Sequence, residues 1–216
     1  MAFDINSFNN WSSGAAKGPK AWAYSSTVDT LATILADDYF LSVHGSLSVD
    51  DVIYIVGSDG KGNFYVASSS STTVTLGSSD GVAVVRTTVT AAEVLLLATT
   101  QKELVAAPGA GKILMFEGCH IQLDYGTVAY TESNDNLVVA YTSAAGVVVS
   151  QIIEMTGFIT LTADSSTRGF PSINPIVANS ANENAPLVLD NNNANFGNAG
   201  DSPLIVDTFF RVVNGV

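Results

Sequence analysis

Charge is scarce in this chain. Of its 216 residues only 13% are Asp, Glu, Lys or Arg, about half the share of ~25% usual in a soluble domain. Bases are scarcer still: eight Lys+Arg against twenty Asp+Glu give a formal charge of −12. An acidic surface repels phosphates and releases few of their counterions, which excludes a nucleic-acid binder working by phosphate neutralisation. Cysteine is reduced to Cys119, so neither an intrachain disulfide nor a cysteine-based metal cluster can form. Its apolar neighbours Ile113, Met115 and Ile121 predict a buried, inert thiol. Long apolar runs are missing too. The densest, Val94-Leu95-Leu96-Leu97-Ala98, falls far short of the ~20 residues of a membrane helix, so no membrane partner is expected. The opening Met1-Ala2-Phe3-Asp4-Ile5-Asn6 has no basic n-region and no apolar h-region, which predicts synthesis and folding in a cytoplasm.

What is present is apolar and neutral-polar. Apolar residues make up 47%, enough for a packed core, and Ser, Thr and Asn together number 58. Neutral polar groups therefore cover much of the surface. The balance favours a β-rich, assembly-prone domain over an enzyme.

Residues 1–20 are rich in Asn, Ser and Gly yet carry Phe3, Ile5, Phe8 and Trp11. A segment too short for its own core must pack these side chains on something. Either it folds back on its own domain, as tethered termini commonly do, or it is an extended arm that docks on a neighbouring subunit. Residues 21–89 read as a small α+β unit. Val28, Leu31, Ile34 and Leu35 fall at helical spacing with Thr27 as a candidate N-cap. Val52–Val56 is a strand, the Asp59-Gly60-Lys61-Gly62 segment a turn, and Phe64-Tyr65-Val66 the return of a hairpin. Val74–Leu76 and Val82–Val85 complete a meander around Ser79-Asp80-Gly81. Thr90 and Glu93 stand at capping-box spacing before a short helix at the junction.

Residues 90–216 read as nearly all strand. The candidates are Gln101–Val105, Lys112–Asp124, Val128–Thr131, Leu137–Thr142, Val147–Glu154, Phe158–Leu161, Leu187–Asp190 and Leu204–Val213. About eight short strands with frequent turns predict a jelly-roll-like β-sandwich. In the last strand, Leu204, Val206, Thr208, Phe210 and Val212 share one face, with Ile205, Asp207, Phe209, Arg211 and Val213 on the other. The second face is too apolar for free solvent. Strand Lys112–Asp124 is two-sided in the same way, and both point to association. Phe209, Arg211 and Val213 are the candidate self-association residues.

Motifs that suggest chemistry fail on inspection. Ala107-Pro108-Gly109-Ala110-Gly111-Lys112 has Ala106 where a phosphate loop needs its first Gly, and Ile113 where it needs Ser or Thr; a hairpin turn is expected instead. His44 and His120 are the only histidines, and neither a G-x-S-x-G elbow nor an H-E-x-x-H helix occurs. His120, inside a strand, reads as packed or interfacial. Asp37-Asp38 and Asp50-Asp51 are adjacent pairs whose side chains diverge, and Asp50-Asp51 reads as turn chemistry before a strand. The Asp190–Asn195 loop has oxygen ligands, but Ala194 breaks the EF-hand pattern and no Glu closes it. Long-turn structure is favoured there. No catalytic residue, metal or cofactor is assigned.

Three stretches carry a resemblance: Lys102–Lys112, Leu123–Ser133 and Glu154–Ile159. They resemble a β-domain of tailed-bacteriophage structural proteins, over about residues 100–216. Leu47–Tyr54 is similar to a strand lead-in of accessory phage particle proteins. Within that class the chain resembles capsid cement, or decoration, proteins with jelly-roll domains, often trimers on the head lattice. The resemblance implies a non-enzymatic virion protein, made in the host cytoplasm and placed on the outer capsid surface, with the major capsid protein as partner. Phe3, Phe8 and Trp11 are the candidate capsid anchors and Lys17 and Lys20 their charge partners, since aromatic anchors tend to dominate interfaces. A tail or head-tail adaptor component and a carbohydrate-binding surface adhesin are the alternatives. Trp22, Tyr39 and Tyr65 are the candidate sugar-stacking rings of the adhesin. An enzyme such as a depolymerase stands last.

Overall fold

A computed structural model describes residues 3–11, 18–77, 81–132, 135–142, 146–172, 182–197 and 199–215. The chain is mainly β and its strands form two sheets. The larger has the order β1-β2-β3-β4-β6-β12-β8-β10, with β5 attached to β4. These strands are β1 (Phe8–Asn10), β2 (Ala21–Ser25), β3 (Val52–Val56), β4 (Gly60–Ser69), β5 (Val74–Leu76), β6 (Ala83–Val89), β8 (Lys112–Leu123), β10 (Ser165–Gly169) and β12 (Leu204–Asn214). The smaller sheet runs β7 (Lys102–Val105), β11 (Leu187–Asn191), β9 (Leu137–Tyr141). Pairing is antiparallel except between β2 and β3.

The last strand holds the large sheet together. β12 pairs with β6 from Leu204↔Val89 to Phe210↔Ala83 and with β8 along its whole length. Its inward residues Leu204, Val206, Thr208, Phe210 and Val212 are all buried, as the alternation predicts. Both sheets feed one apolar cluster, with Leu187, Leu189, Leu137 and Val139 from the small sheet meeting Leu114, Ile121, Val206 and Phe210 from the large one. Burial of such side chains contributes roughly 1.5–3 kcal/mol each relative to exposure. The Tyr141 hydroxyl on β9 donates to the Leu114 carbonyl on β8, tying sheet to sheet.

Several local expectations hold because their signals are local. Val52–Val56 and Val74–Leu76 are strands at the expected bounds. The capping box forms: Thr90 Oγ1 accepts from Glu93 N and the Glu93 carboxylate accepts from Thr90 N, opening α2 (Ala91–Val94). Helix α1 (Leu31–Leu35) starts later than the apolar spacing predicts. Thr30, not Thr27, caps it, accepting from Thr33 N at 3.2 Å. Ser26 Oγ accepts from Val28 N and Asp29 N and holds residues 26–29 as a turn, which leaves Val28 exposed.

Other expectations are corrected. Val128–Thr131, Val147–Glu154 and Phe158–Leu161 are not strands. Residues 147–154 follow β9, but Ser150 Oγ accepts from Val139 N where a ladder carbonyl would. Gln151 N turns away to Phe170 O. Only isolated bridges survive, Ala140↔Val148 and Leu137↔Ile153. At 158–161 a turn wins, with Phe158 N and Ile159 N both donating to Met155 O and Gly157 at φ +74°. Strand β10 lies where no strand was expected, since Ser165-Ser166-Thr167-Arg168-Gly169 has no apolar alternation; its place comes from pairing with the edge of β8. The 106–111 segment is not a hairpin turn. It carries the chain from β7 in one sheet to β8 in the other. The Ser79-Asp80 and Asn134 turn positions lie outside the described residues.

Candidate interaction surface

The outward face of the large sheet gathers the side chains that the core does not take. Partners directly opposite in a ladder project to the same side. Arg86, Asp207, His120 and Arg168 therefore form one row across β6, β12, β8 and β10. Arg86 grips Asp207 through two hydrogen bonds, Nε to Oδ1 and Nη2 to Oδ2, both 2.7 Å. The bidentate guanidinium holds the Asp207 carboxyl below its ordinary range, and Asp207 raises Arg86 in return. One row along, Val84 faces Phe209 and Phe209 faces Gly118. The register slips between Phe209 and Phe210, leaving Glu117 as the extra residue of β8, a bulge that bends the strand. Gly118 sits there at φ +142° and offers no side chain. The result is a hollow flanked by Phe209, Phe170, Arg168 and Glu117. Phe170 is 56% and Phe209 38% exposed, with Met115 exposed nearby across from Arg211.

This face concentrates the rare positive charge. All three arginines, Arg86, Arg168 and Arg211, stand on it, with Lys61 reached through the Lys61↔Val84 pair. Asp207 and Glu117 are the acids at outward positions on these strands, and Asp124 and Asp164 line a hollow beside His120 at the end of the same face. Glu117 Oε1 takes Arg211 Nε at 2.9 Å. The Arg168 side chain has no hydrogen-bond or ion-pair partner among the described residues.

Of the self-association candidates, Phe209 is exposed, Arg211 is exposed but paired, and Val213 is half-buried against the core. The capsid-contact candidates divide. Phe3 stacks on Tyr24 at 5.2 Å and Phe8 on Trp22 at 4.7 Å, so both rings pack within their own chain, and β1 joins β2. Trp11 is 69% exposed, its ring parallel to that of Tyr54 at 6.3 Å. Lys20 reaches the Ser46 carbonyl and lies over the Trp22 ring. Lys17 lies outside the described residues. Of the sugar-stacking candidates, Trp22 is buried, and the Tyr39 hydroxyl is bonded to Asp29 Oδ2. Sequence reasoning missed Arg168 and Phe170, because a polar pentapeptide gives no strand signal to place them.

The chemistry-bearing residues are spent on structure. Gly111 N donates to Glu183 Oε1 at 2.6 Å and Gly109 N to Asn184 Oδ1 at 2.9 Å, so the amides of the phosphate-loop lookalike face a carboxylate and an amide oxygen. His44 Nδ1 lies 3.0 Å from Leu41 O, and His120 Nδ1 lies 3.3 Å from Gln122 Nε2. Asp38 accepts from Val74 N, and Asp37 meets Lys112 Nζ at 3.5 Å. In the Asp190–Asn195 loop, Asn191 Oδ1 accepts from Asn193 N, while Asp135 accepts from Asn193 Nδ2 and Ala194 N. Among the described residues no group of three or more His, Cys, Asp or Glu is placed to hold a metal. Cys119 is buried, and burial pushes its thiol up to about 11.

A cavity of about 360 Å³ lies on the inner side of β6 and β12. Leu31, Leu35, Val85, Leu104, Phe210 and Val212 give it apolar walls, and Asp37, Asp59 and Glu103 bring carboxylates. Asp59 Oδ1 is held by Leu31 N at 2.6 Å, whereas exposed Glu103 has no side-chain partner among the described residues. No protein-family model, curated protein or solved structure matches the chain.

Proposed function

We propose that this chain is a non-enzymatic structural protein of a tailed-bacteriophage virion: a decoration protein that binds the outer surface of the major capsid lattice as a trimer and strengthens the head. The observation that supports this most is the outward sheet face, where Phe209, Phe170 and Met115 are exposed beside a concentrated set of arginines. Exposed aromatic groups with arginine are the composition of protein interfaces. In this reading the two sheets serve as a jelly-roll-like sandwich, and residues 3–11 are the root of an arm whose Trp11 is left for the shell. A charge of −12 suits an outer surface and would be a poor lining for a DNA-filled head.

A second reading, a carbohydrate-binding surface protein, draws on the exposed, parallel Trp11–Tyr54 pair. Sugars stack on such faces. The deciding experiment is immunogold labelling of particles from cells that make the protein, with an antibody raised against the purified chain. Labels spread over the heads are expected. Labels confined to tails or to the head-tail junction select the tail or adaptor alternative. Particles without label overturn the proposal.

A further inference from the structure

We infer that the outward face of β1–β4 binds an uncharged polysaccharide, with sugar rings stacked on Trp11 and Tyr54 and their hydroxyls bonded to Asn9 and Asn63. The inference rests on the second, carbohydrate-binding reading above and gives it a site and a ligand class.

Register assembles the site. Trp22, Tyr24, Ile53, Ile55 and Phe64 are buried, so the residues alternating with them project to the other side of the sheet. Asn9↔Ala23, Ala23↔Tyr54 and Tyr54↔Asn63 make one outward row across four strands. Trp11, whose N–H donates to Ala21 O at 2.6 Å, opens the neighbouring row through Ala21↔Val52 and Val52↔Tyr65. Asn9, Trp11 and Asn63 are exposed, and Tyr54 and Tyr65 are half-buried. Between the rings, β2 contributes only the methyl groups of Ala21 and Ala23, so the strand there is low. The rings of Trp11 and Tyr54 stand on either side of it, 4° from parallel with centroids 6.3 Å apart. Trp11 is 69% exposed, which leaves a face open for stacking. From strand spacing the two rows cover about 14 Å across the strands and about 7 Å along them, the scale of a short oligosaccharide.

Chemistry selects the ligand. A pyranose has an apolar C–H face and a rim of hydroxyls. The C–H face packs on an aromatic ring. A hydroxyl both donates and accepts, as does an Asn amide, whereas a carboxylate only accepts and an ammonium only donates. The two rows contain amides, rings and small apolar groups, and no Asp, Glu, Lys or Arg. Lys61, opposite Val56, comes one row further along. The ion pairs Arg86–Asp207 and Arg211–Glu117 belong to the other half of the sheet, on β6, β12 and β8. An anionic polymer would find no counter-charge between Asn9 and Asn63. A neutral one needs none.

Affinity electrophoresis tests this on the full-length protein, in native gels cast with dextran, mannan or arabinogalactan, and with alginate as the anionic control. Wild type is expected to be retarded by at least one neutral polymer and not by alginate. Only two tryptophans are present and Trp22 is buried, so the same polymer in solution is expected to shift emission to the blue through Trp11. Trp11→Ala is expected to bind at least tenfold more weakly, Trp11→Phe to recover part of the loss, and Asn63→Ala to weaken binding too. Trp11 and Asn63 are exposed, so circular dichroism is expected to show native folds. Arg168→Ala, on the ionic half of the sheet, is expected to bind like wild type. Retardation that survives both Trp11→Ala and Asn63→Ala overturns this site and leaves the carbohydrate reading standing. Retardation by alginate alone overturns the uncharged class. No retardation by any polymer overturns both the site and the carbohydrate reading, and loss of head binding by Trp11→Ala would then assign the face to the shell.

Discussion

Asp51 accepts the indole N–H of Trp22 at 2.9 Å from a position with no solvent exposure. The same carboxylate accepts Lys20 N at 2.7 Å and Ser48 N at 3.0 Å. It fastens the loop before β3 to the start of β2, the parallel pair of the sheet. Asp51→Ala strands three donors, and an unmet buried donor costs roughly 1–3 kcal/mol. A loss of about 3 kcal/mol is expected in urea denaturation at neutral pH, with Asp51→Asn in between.

Residues 3–11 separate packing from docking. Phe3 and Phe8 cover Trp22, Tyr24 and Phe40, whereas Trp11 stays exposed. Deletion of 3–11 is therefore expected to lower the melting temperature by several degrees, and Trp11→Ala to leave it within a degree. Weaker binding of Trp11→Ala to heads would then report a contact and not a loss of fold. Calorimetry on both variants checks the distinction.

Tyr130 is buried and its hydroxyl donates to Ser202 O at 2.6 Å. A Cβ added at Gly200 would stand 2.2 Å from the Tyr130 ring, which is buried and tethered through its hydroxyl. Gly200→Ala is expected to destabilise by about 1–3 kcal/mol, the usual cost of overpacking. A melt that matches wild type would show that the segment around residue 200 shifts freely.

Asp201 ties the 124–128 turn to the last loop. Its carboxylate accepts Thr127 Oγ1, Thr127 N and Val128 N, and these bonds, the hydroxyl first, bring it down to about 2 from 3.8. A depressed carboxyl stabilises the fold above its unfolded-state value and loses that contribution as pH falls toward its folded value. The clamp is thus whole above about pH 4 and released near pH 2. Amide resonances of Thr127 and Val128 are expected to move with a midpoint near 2. A midpoint near 4 would deny the clamp.

Cys119, with its thiol raised to about 11 by burial, holds almost no thiolate at pH 8. Ellman's reagent is expected to react with it only after denaturant is added. Fast reaction of the native protein would place the sulfur at the surface.

Some of this was open to reading from the chain alone. The capping box of Thr90 and Glu93, the run Val52–Val56 and the two-faced strand 204–213 are set by neighbours in sequence, through capping geometry and the twofold alternation of side chains. Scarce charge and one cysteine limited the available chemistry before any fold was known. Tertiary structure decided the rest. Ser165–Gly169 became a strand because β8 presented an unpaired edge. Residues 147–154 lost a ladder to the hydroxyl of Ser150. Phe3 and Phe8 turned inward because Trp22, Tyr24 and Phe40 were there to receive them. The gathering of Arg86, Arg168 and Arg211 on one face depends on strand order, which joins residues distant in sequence, such as Arg86 and Asp207. Local sequence sets which way a side chain points, and only long-range pairing sets what stands beside it.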